Sequence, residues 1–270
     1  MPEISTPVCK GLFYRKMGNG PVLILIHGFP SDGTVWSQIQ QELSESFTLL
    51  IPDLPGSGSS HLEGIADIGY MTDCIKALMG AEGIKKAVIA GHSMGGYVGC
   101  EFAVRYPDLV AGLSLIHSVP VADDEEKKNL RLKSIELIRK GGKSTFIRQL
   151  IPNLFSNNFK QTNPAVVESQ VKLALELDDK SLINFYYAMI GRRDNRSALI
   201  DSGFPIQWII GMDDNVIFYK KILELCYKSQ INFVTFKNNC GHMSMLETPA
   251  SLITDLKEFT EYCFHYDPHV

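Results

Sequence analysis

The sequence has no long hydrophobic segment, no strong net charge and no closely spaced pair of cysteines. Its longest apolar run, 22–26, is far too short to cross a bilayer. The first residues show no charged start followed by an apolar stretch, so we expect no signal peptide. With a net charge of −4, the chain lacks a basic field that would attract nucleic acid or an anionic membrane. We therefore expect neither partner.

The cysteines are scattered, and most of them lie in apolar stretches. Clustered or regularly spaced cysteines would be needed for a metal site or a disulfide framework, and neither pattern is present. We predict buried free thiols and, from them, a cytoplasmic location. The six residues are Cys9, Cys74, Cys100, Cys226, Cys240 and Cys263.

The chain is long enough, at 270 residues with 45% hydrophobic content, for one domain with a large core. Short apolar stretches typical of buried strands alternate with stretches of helical length. Such alternation predicts an α/β fold, with a mostly parallel sheet flanked by helices and with ligands at the carboxyl ends of the strands. The predicted buried strands are 22–26, 47–51, 86–90, 112–116, 206–210 and 231–236.

The alternation of strands and helices breaks at Val119-Pro120 and returns after Gly203. Between these points the pattern predicts helices with apolar faces and no strand. We therefore predict a core formed by residues 1–120 and 203–270, with a helical cap formed by 121–202. The first predicted helix of the cap begins near residue 123, and the three others cover 144–150, 164–177 and 180–190.

The stretch Gly91-His92-Ser93-Met94-Gly95 lies between a predicted strand and a predicted helix. A Gly-x-Ser-x-Gly sequence in that setting is the nucleophile-elbow motif. A serine on so tight a turn takes a strained backbone conformation, and side chains two residues to either side would collide with it, so glycine is required there. The motif predicts Ser93 as a reactive nucleophile.

Two other predicted strands end in groups that could activate this serine. A serine hydroxyl needs an imidazole to take its proton, and the imidazole needs an acid to orient it. Ser93, Asp214 and His242 follow the chain order nucleophile, acid, base that this arrangement shows. Asp213 is adjacent and is an alternative acid.

The developing oxyanion also needs hydrogen-bond donors. The backbone N–H of Met94 directly follows the nucleophile, and that of Phe29 lies in the loop after strand 22–26, which Gly28 allows to bend. Losing one such donor typically raises the barrier by about 3–4 kcal/mol. We predict these two N–H groups as the oxyanion hole.

These motifs together resemble the α/β-hydrolase superfamily. The resemblance is to its cap-bearing serine hydrolases, such as small esterases, enol-lactonases, pimeloyl-ester hydrolases and cofactor-free haloperoxidases. It implies an α/β-hydrolase fold with Ser93 as nucleophile, Asp214 as acid and His242 as base. The matching stretches are His27-Gly28-Phe29-Pro30, 53–59, 91–96, 211–214 and 239–242, the last followed by Glu247-Thr248-Pro249.

We expect a serine hydrolase that cleaves a small to medium, largely apolar carboxylic ester, lactone or thioester through an acyl-enzyme. No metal or organic cofactor is called for, and the expected partner is a small-molecule substrate. The same triad could serve an acyltransferase, a perhydrolase or a lyase, and the fold could also serve a ligand-binding protein. Serine at the elbow disfavours dehalogenases and epoxide hydrolases, whose relatives carry aspartate there. The sequence does not indicate the oligomeric state.

The remaining polar residues of the motifs are interpreted as structural. His27, His92 and Asp53 are expected to support the oxyanion loop, the elbow and the 53–59 loop. Four histidines have no partner motif and are expected to be solvated or ordinary core residues. They are His61, His117, His265 and His269.

Overall fold

A computed structural model of the chain describes residues 2–62, 64–196, 199, 202–226 and 230–265. Its strands form one mostly parallel sheet. They are β1 (Glu3–Ile4), β2 (Leu12–Met17), β3 (Val22–Ile26), β4 (Thr48–Pro52), β5 (Ala87–His92), β6 (Val110–Ile116), β7 (Ile206–Gly211) and β8 (Asn232–Lys237). The order across the sheet is β1-β2-β4-β3-β5-β6-β7-β8. Strand β2 is antiparallel to both neighbours, and all other pairs are parallel.

The central strands β3, β5 and β6 are buried on both faces, as their continuous apolar sequences predict. Their register aligns Ile26 with Gly91, and His92 with Ile116. On the other side, β7 continues this alignment by pairing Ile209 with Ile116. Loops that follow these strands therefore meet at one edge of the sheet, where the predicted reactive residues lie.

Helices cover both faces of the sheet and fill the long connection between β6 and β7. They are α1 (Gln40–Leu43), α2 (Ile68–Ala81), α3 (Met94–Arg105), α4 (Glu125–Leu137), α5 (Lys143–Asn153), α6 (Asn157–Thr162), α7 (Pro164–Glu176), α8 (Asp179–Gly191), α9 (Tyr219–Cys226), α10 (Ser244–Glu247) and α11 (Pro249–His265). None of these described helices has the length and apolar character needed to span a membrane.

Most predicted elements end within about two residues of the observed ones, with three differences. The predicted helix 36–43 is wrong, since the structure has a 3-10 turn at Gly33–Trp36 and only the short α1 after it. The two-residue β1 and the polar α6 were not predicted, because both are too short for a clear hydrophobic period. The end of the predicted helix 217–228 lies outside the described residues.

The connection from 117 to 205 contains helices and, among its described residues, no strand. A buried charge cluster joins its two ends. The Asp123 carboxylate accepts from Arg192 Nη2 at 2.9 Å and from Arg131 Nε at 2.6 Å. Further along, the Asn184 amide exchanges hydrogen bonds of 3.1 and 2.8 Å with the backbone of Ala66. The contacts of Asp123 hold parts of the helical insertion together, and those of Asn184 attach the insertion to the loop before α2.

The prediction of six free thiols is wrong for one pair. A disulfide joins Cys9 to Cys74, whose Cα atoms are 5.0 Å apart although 65 residues separate them in the chain. The fold brings the N-terminal loop against helix α2, which sequence spacing could not indicate. The other four cysteines are free and buried. The cysteine argument for a cytoplasmic location therefore no longer holds.

Candidate active site

Ser93 lies on the sharp turn between β5 and α3 with a backbone φ of 50°. Its N–H donates to Ile116 O at 2.9 Å, and its carbonyl accepts from Ser118 Oγ at 2.7 Å. The flanking glycines are sterically required. A Cβ on Gly91 would lie 2.3 Å from Gly95 O, and one on Gly95 would lie 2.3 Å from Ile26 O. The backbone strain at Ser93 is thus maintained by tight packing on both sides.

The loop after β3 approaches the elbow so closely that Gly28 has no room for a side chain. A Cβ there would lie 2.6 Å from His92 Nδ1 and 3.0 Å from Ser93 Cβ. The backbone N–H groups of Phe29 and Met94 donate to no other described residue. The structure thus leaves two unengaged donors in the segments that flank Ser93.

His242 and Asp214 form a buried pair at the same edge of the sheet. His242 Nδ1 lies 2.7 Å from Asp214 Oδ2, while Asp213 is exposed. Asp214 Oδ1 also accepts the N–H groups of Val216 and Ile217 at 2.8 and 2.9 Å. Burial alone would raise the pKa of the Asp214 carboxyl. The nearby imidazoles and hydrogen bonds outweigh burial and hold this pKa well below its usual range.

The structure brings His242 and Asp214 together, and it connects the His242 loop to the residue that precedes Ser93. His92, which directly precedes Ser93, donates from Nε2 to the His242 carbonyl at 2.8 Å. The half-buried Ser93 hydroxyl forms no hydrogen bond with a described residue. Catalytic hydrogen bonds are often long in unliganded sites and shorten when substrate binds.

The protonation of His92 follows from its surroundings. A carbonyl can only accept, so Nε2 must carry a proton. The low pKa of the ring leaves Nδ1 unprotonated. Burial lowers the pKa of His92 well below its usual value, and the charge of nearby His242 lowers it further. His92 therefore acts as a fixed donor that supports the base loop, in line with its predicted structural role.

His117 is the site residue that sequence reasoning missed. It is fully buried, and its Nδ1 lies 3.3 Å from Asp214 Oδ2, the same oxygen that His242 contacts. Burial lowers the pKa of His117, so the ring is neutral near pH 7. A signal was present, because His117 directly follows β6 at the same sheet edge as the other strand ends. His117 is a core residue as expected, but its contact with Asp214 was not predicted.

The other polar motif residues support loops, as expected. His27 Nε2 accepts the Leu54 N–H at 2.9 Å and lies 2.9 Å from Ser57 Oγ. Asp53 accepts from the N–H groups of Gly33 and Ser59 at 2.9 and 3.0 Å. His61 and His265 are exposed, and His269 lies outside the described residues.

Among the described residues, potential metal ligands converge at His117, Asp214 and His242, whose ligand atoms lie within 4.8 Å of one another. The 2.7 Å between His242 Nδ1 and Asp214 Oδ2 is a hydrogen-bond distance. A tetrahedral zinc ion with bonds of about 2.0–2.2 Å separates its ligand atoms by about 3.4 Å, so these two atoms lie too close together for it. The arrangement fits an acid-base pair better than a metal centre.

Aromatic side chains of the insertion lie against the loop after β3. The Phe29 ring is 4.9 Å from the Tyr186 ring and 6.1 Å from the Phe185 ring, both on α8. Both α8 residues are buried. The insertion thus places apolar surface next to Phe29.

Comparison with known proteins agrees with this fold. The family model described as alpha/beta hydrolase fold matches residues 21–249. A thermophilic esterase from Thermogutta terrifontis, solved with malate bound, is 27% identical and has a TM-score of 0.90 over 97% of both chains. The enol-lactonase from Burkholderia xenovorans LB400 has a TM-score of 0.88 over 96% of this chain and 99% of its own. That protein is 21% identical, so its likeness concerns the fold alone.

Curated sequence relatives match a smaller part of the chain. The pimeloyl-[acyl-carrier protein] methyl ester esterase of Vibrio atlanticus is 33% identical over 112 residues, which are 40% of this chain and 41% of that protein. An uncharacterized protein of Mycobacterium tuberculosis is 34% identical over 113 residues, which are 41% of this chain and 33% of that protein. The chain thus spans about a third to two fifths of the length of these relatives.

Proposed function

The chain belongs to the alpha/beta hydrolase fold family, and from this premise we propose that it is a carboxylic ester hydrolase with Ser93 as its nucleophile. The observation that carries the proposal is the buried contact of 2.7 Å between His242 and Asp214, at the sheet edge where Ser93 occupies a strained turn. The esterases among its relatives support the same reaction class.

In the proposed reaction, His242 Nε2 takes the Ser93 hydroxyl proton while Oγ attacks the ester carbonyl. The Phe29 and Met94 N–H groups stabilise the resulting oxyanion. The intermediate collapses, the alkoxide leaving group receives the proton from His242, and an acyl-enzyme remains. Water then attacks with His242 as base, which releases the acid and regenerates Ser93. Asp214 orients His242 and stabilises its cation throughout.

We propose that the core comprises 1–120 and 203–270, and that 121–202 acts as a cap whose apolar surface selects the substrate. The aromatic contacts of Phe29 with Tyr186 and Phe185 favour a small to medium, largely apolar acyl or alkyl group. The charge of Arg192 in this region is already paired with buried Asp123. Esters, lactones and thioesters all meet these requirements.

The decisive experiment combines labelling and turnover. Wild type should react with a fluorophosphonate at Ser93 and hydrolyse p-nitrophenyl esters, with the highest kcat/KM at a defined chain length. Ser93→Ala should lose both, and Ser169→Ala, which removes an exposed hydroxyl, should lose neither. Unlabelled Ser93 and unchanged turnover in Ser93→Ala would contradict the proposal. Products formed with added alcohol or peroxide would identify a transferase or perhydrolase.

A further inference from the structure

The loop that carries His242 is held by contacts to its backbone N–H groups. Glu247 Oε1 accepts from Gly241 at 3.0 Å and from Met243 at 3.2 Å. Between them, the His242 N–H donates to Leu154 O at 2.7 Å. Leu154 belongs to the helical insertion, so the backbone of His242, the proposed base, forms a direct hydrogen bond with that insertion.

The second oxygen of Glu247 extends the same attachment. Oε2 accepts the N–H of Ser156 at 2.9 Å. Ser156 is fully buried, and its hydroxyl accepts the Phe159 N–H at 3.2 Å at the start of α6. A single half-buried carboxylate therefore connects the His242 loop to the insertion.

The two segments touch without space between them. A Cβ on Gly241 would lie 2.6 Å from Ser156 N and 2.8 Å from Leu154 O. Lifting the 154–156 segment away would therefore break the His242 and Glu247 hydrogen bonds together. On its other side, the His242 carbonyl accepts from His92 Nε2 at 2.8 Å. The main chain of His242 thus bridges the insertion and the nucleophile elbow.

We propose that Glu247 is a positioning residue for His242, and that the 154–156 segment is part of the support of the base, so that proton transfer requires the insertion to be seated on the sheet. This inference rests on the proposed function, since it assigns a requirement to the base of that reaction. A misplacement of about 1 Å can lower a rate by about a hundredfold. The position of the insertion would then govern turnover as well as substrate choice.

The residue type at 247 fits this role. Three N–H donors converge on one side chain, and an ionised carboxylate offers two acceptor oxygens with no donor. A glutamine has a single acceptor oxygen, so it can hold the His242 loop or Ser156 but not both. Glu247→Gln therefore weakens the connection, and Glu247→Ala removes it.

The kinetic test compares these variants on the best p-nitrophenyl ester, with Glu261→Gln, an exposed acid on α11, as the control. We expect kcat to fall about tenfold in Glu247→Gln and about a hundredfold in Glu247→Ala. KM should stay within about twofold, because Glu247 contacts the base loop and not the substrate. Wild-type kcat in Glu247→Ala, or a loss confined to KM, would overturn the inference. If Glu247→Ala does not fold, Glu247→Gln decides the question.

Hydrogen exchange tests the attachment without relying on activity. In wild type the amides of 241–243 and of Ser156 should exchange at one common rate. In Glu247→Gln either 241–243 or Ser156 should lose protection at least tenfold, and in Glu247→Ala all of these amides should, while the β5 amides stay unchanged. Full protection of 241–243 in Glu247→Ala would overturn the inference. If 241–243 stay fully protected but the enzyme is active and depends on Ser93, the inference fails and the proposed function stands. If wild type is inactive, the proposed function fails, and hydrogen exchange alone decides whether Glu247 attaches the His242 loop to the insertion.

Discussion

His117 Nδ1 lies 3.3 Å from Asp214 Oδ2, so the acid of the proposed triad faces a second buried imidazole besides that of His242. The Nδ1 atom is near the carboxylate but does not form a full hydrogen bond with it, so we expect a contribution below the ~1.5–3 kcal/mol of a hydrogen bond to a charged group. We therefore expect His117→Phe, which keeps a ring of similar size, to lower kcat about tenfold. His117→Gln, whose amide can still donate to Asp214, should lose less. Equal kcat values in wild type and both variants, measured on p-nitrophenyl esters, would contradict this role.

The two adjacent aspartates offer a matched pair that identifies the acid. Asp214 is buried against His242, and Asp213 is exposed. Asp214→Asn should lower kcat by about 10³- to 10⁴-fold, because a neutral amide favours the wrong tautomer and cannot stabilise the imidazolium. The kcat of Asp213→Asn should stay within about twofold of the wild-type value. Steady-state kinetics at pH 7.5 checks both, and the reverse pattern would assign the acid to Asp213.

Stability should fall as the pH is lowered below neutrality. Burial lowers the pKa values of His27, His92 and His117 in the folded protein. Below pH 6.5 the unfolded chain therefore binds protons that the folded chain does not. Each histidine then reduces the free energy of unfolding by up to about 1.4 kcal/mol per pH unit.

Urea unfolding at pH 7.5, 6.5 and 5.5 measures this effect. The free energy of unfolding should be highest at pH 7.5, and His117→Phe should show a smaller dependence because one histidine is gone. His265→Gln serves as the control, since His265 is exposed. A free energy that stays constant from pH 7.5 to 5.5 would contradict the burial of neutral histidines.

The disulfide should contribute measurably to stability. It closes a loop of 65 residues, for which chain entropy gives about 4 kcal/mol. Cys9→Ser and reduced wild type should unfold at similarly lower urea concentrations, and adding reductant to Cys9→Ser should cause no further change. Peptide mapping without reductant should detect the Cys9–Cys74 link. Two free thiols in protein purified under oxidising conditions would refute it.

The sequence indicated some parts of the local geometry at the candidate site and not others, for physical reasons. The elbow was readable because its glycines are imposed locally, by contacts within a few residues of Ser93 and with the end of β3. Asp214 and His242 follow strands that a short apolar pattern identifies, and parallel register brings such ends together. Glu247 was visible beside Pro249, but besides the nearby Gly241 and Met243 its N–H partners include Ser156, which is 91 residues away in the chain. No sequence pattern specifies such partners.

The sequence by itself determined the α/β architecture, the strained serine turn and the polar side chains that follow the strands, because hydrophobic period and glycine placement act over short stretches of chain. Only the tertiary structure decided what surrounds those side chains. It paired Cys9 with Cys74, set His117 against Asp214 and attached the His242 loop to Leu154 and Ser156. These are contacts between segments far apart in the chain, and their geometry depends on how the helices pack onto the sheet.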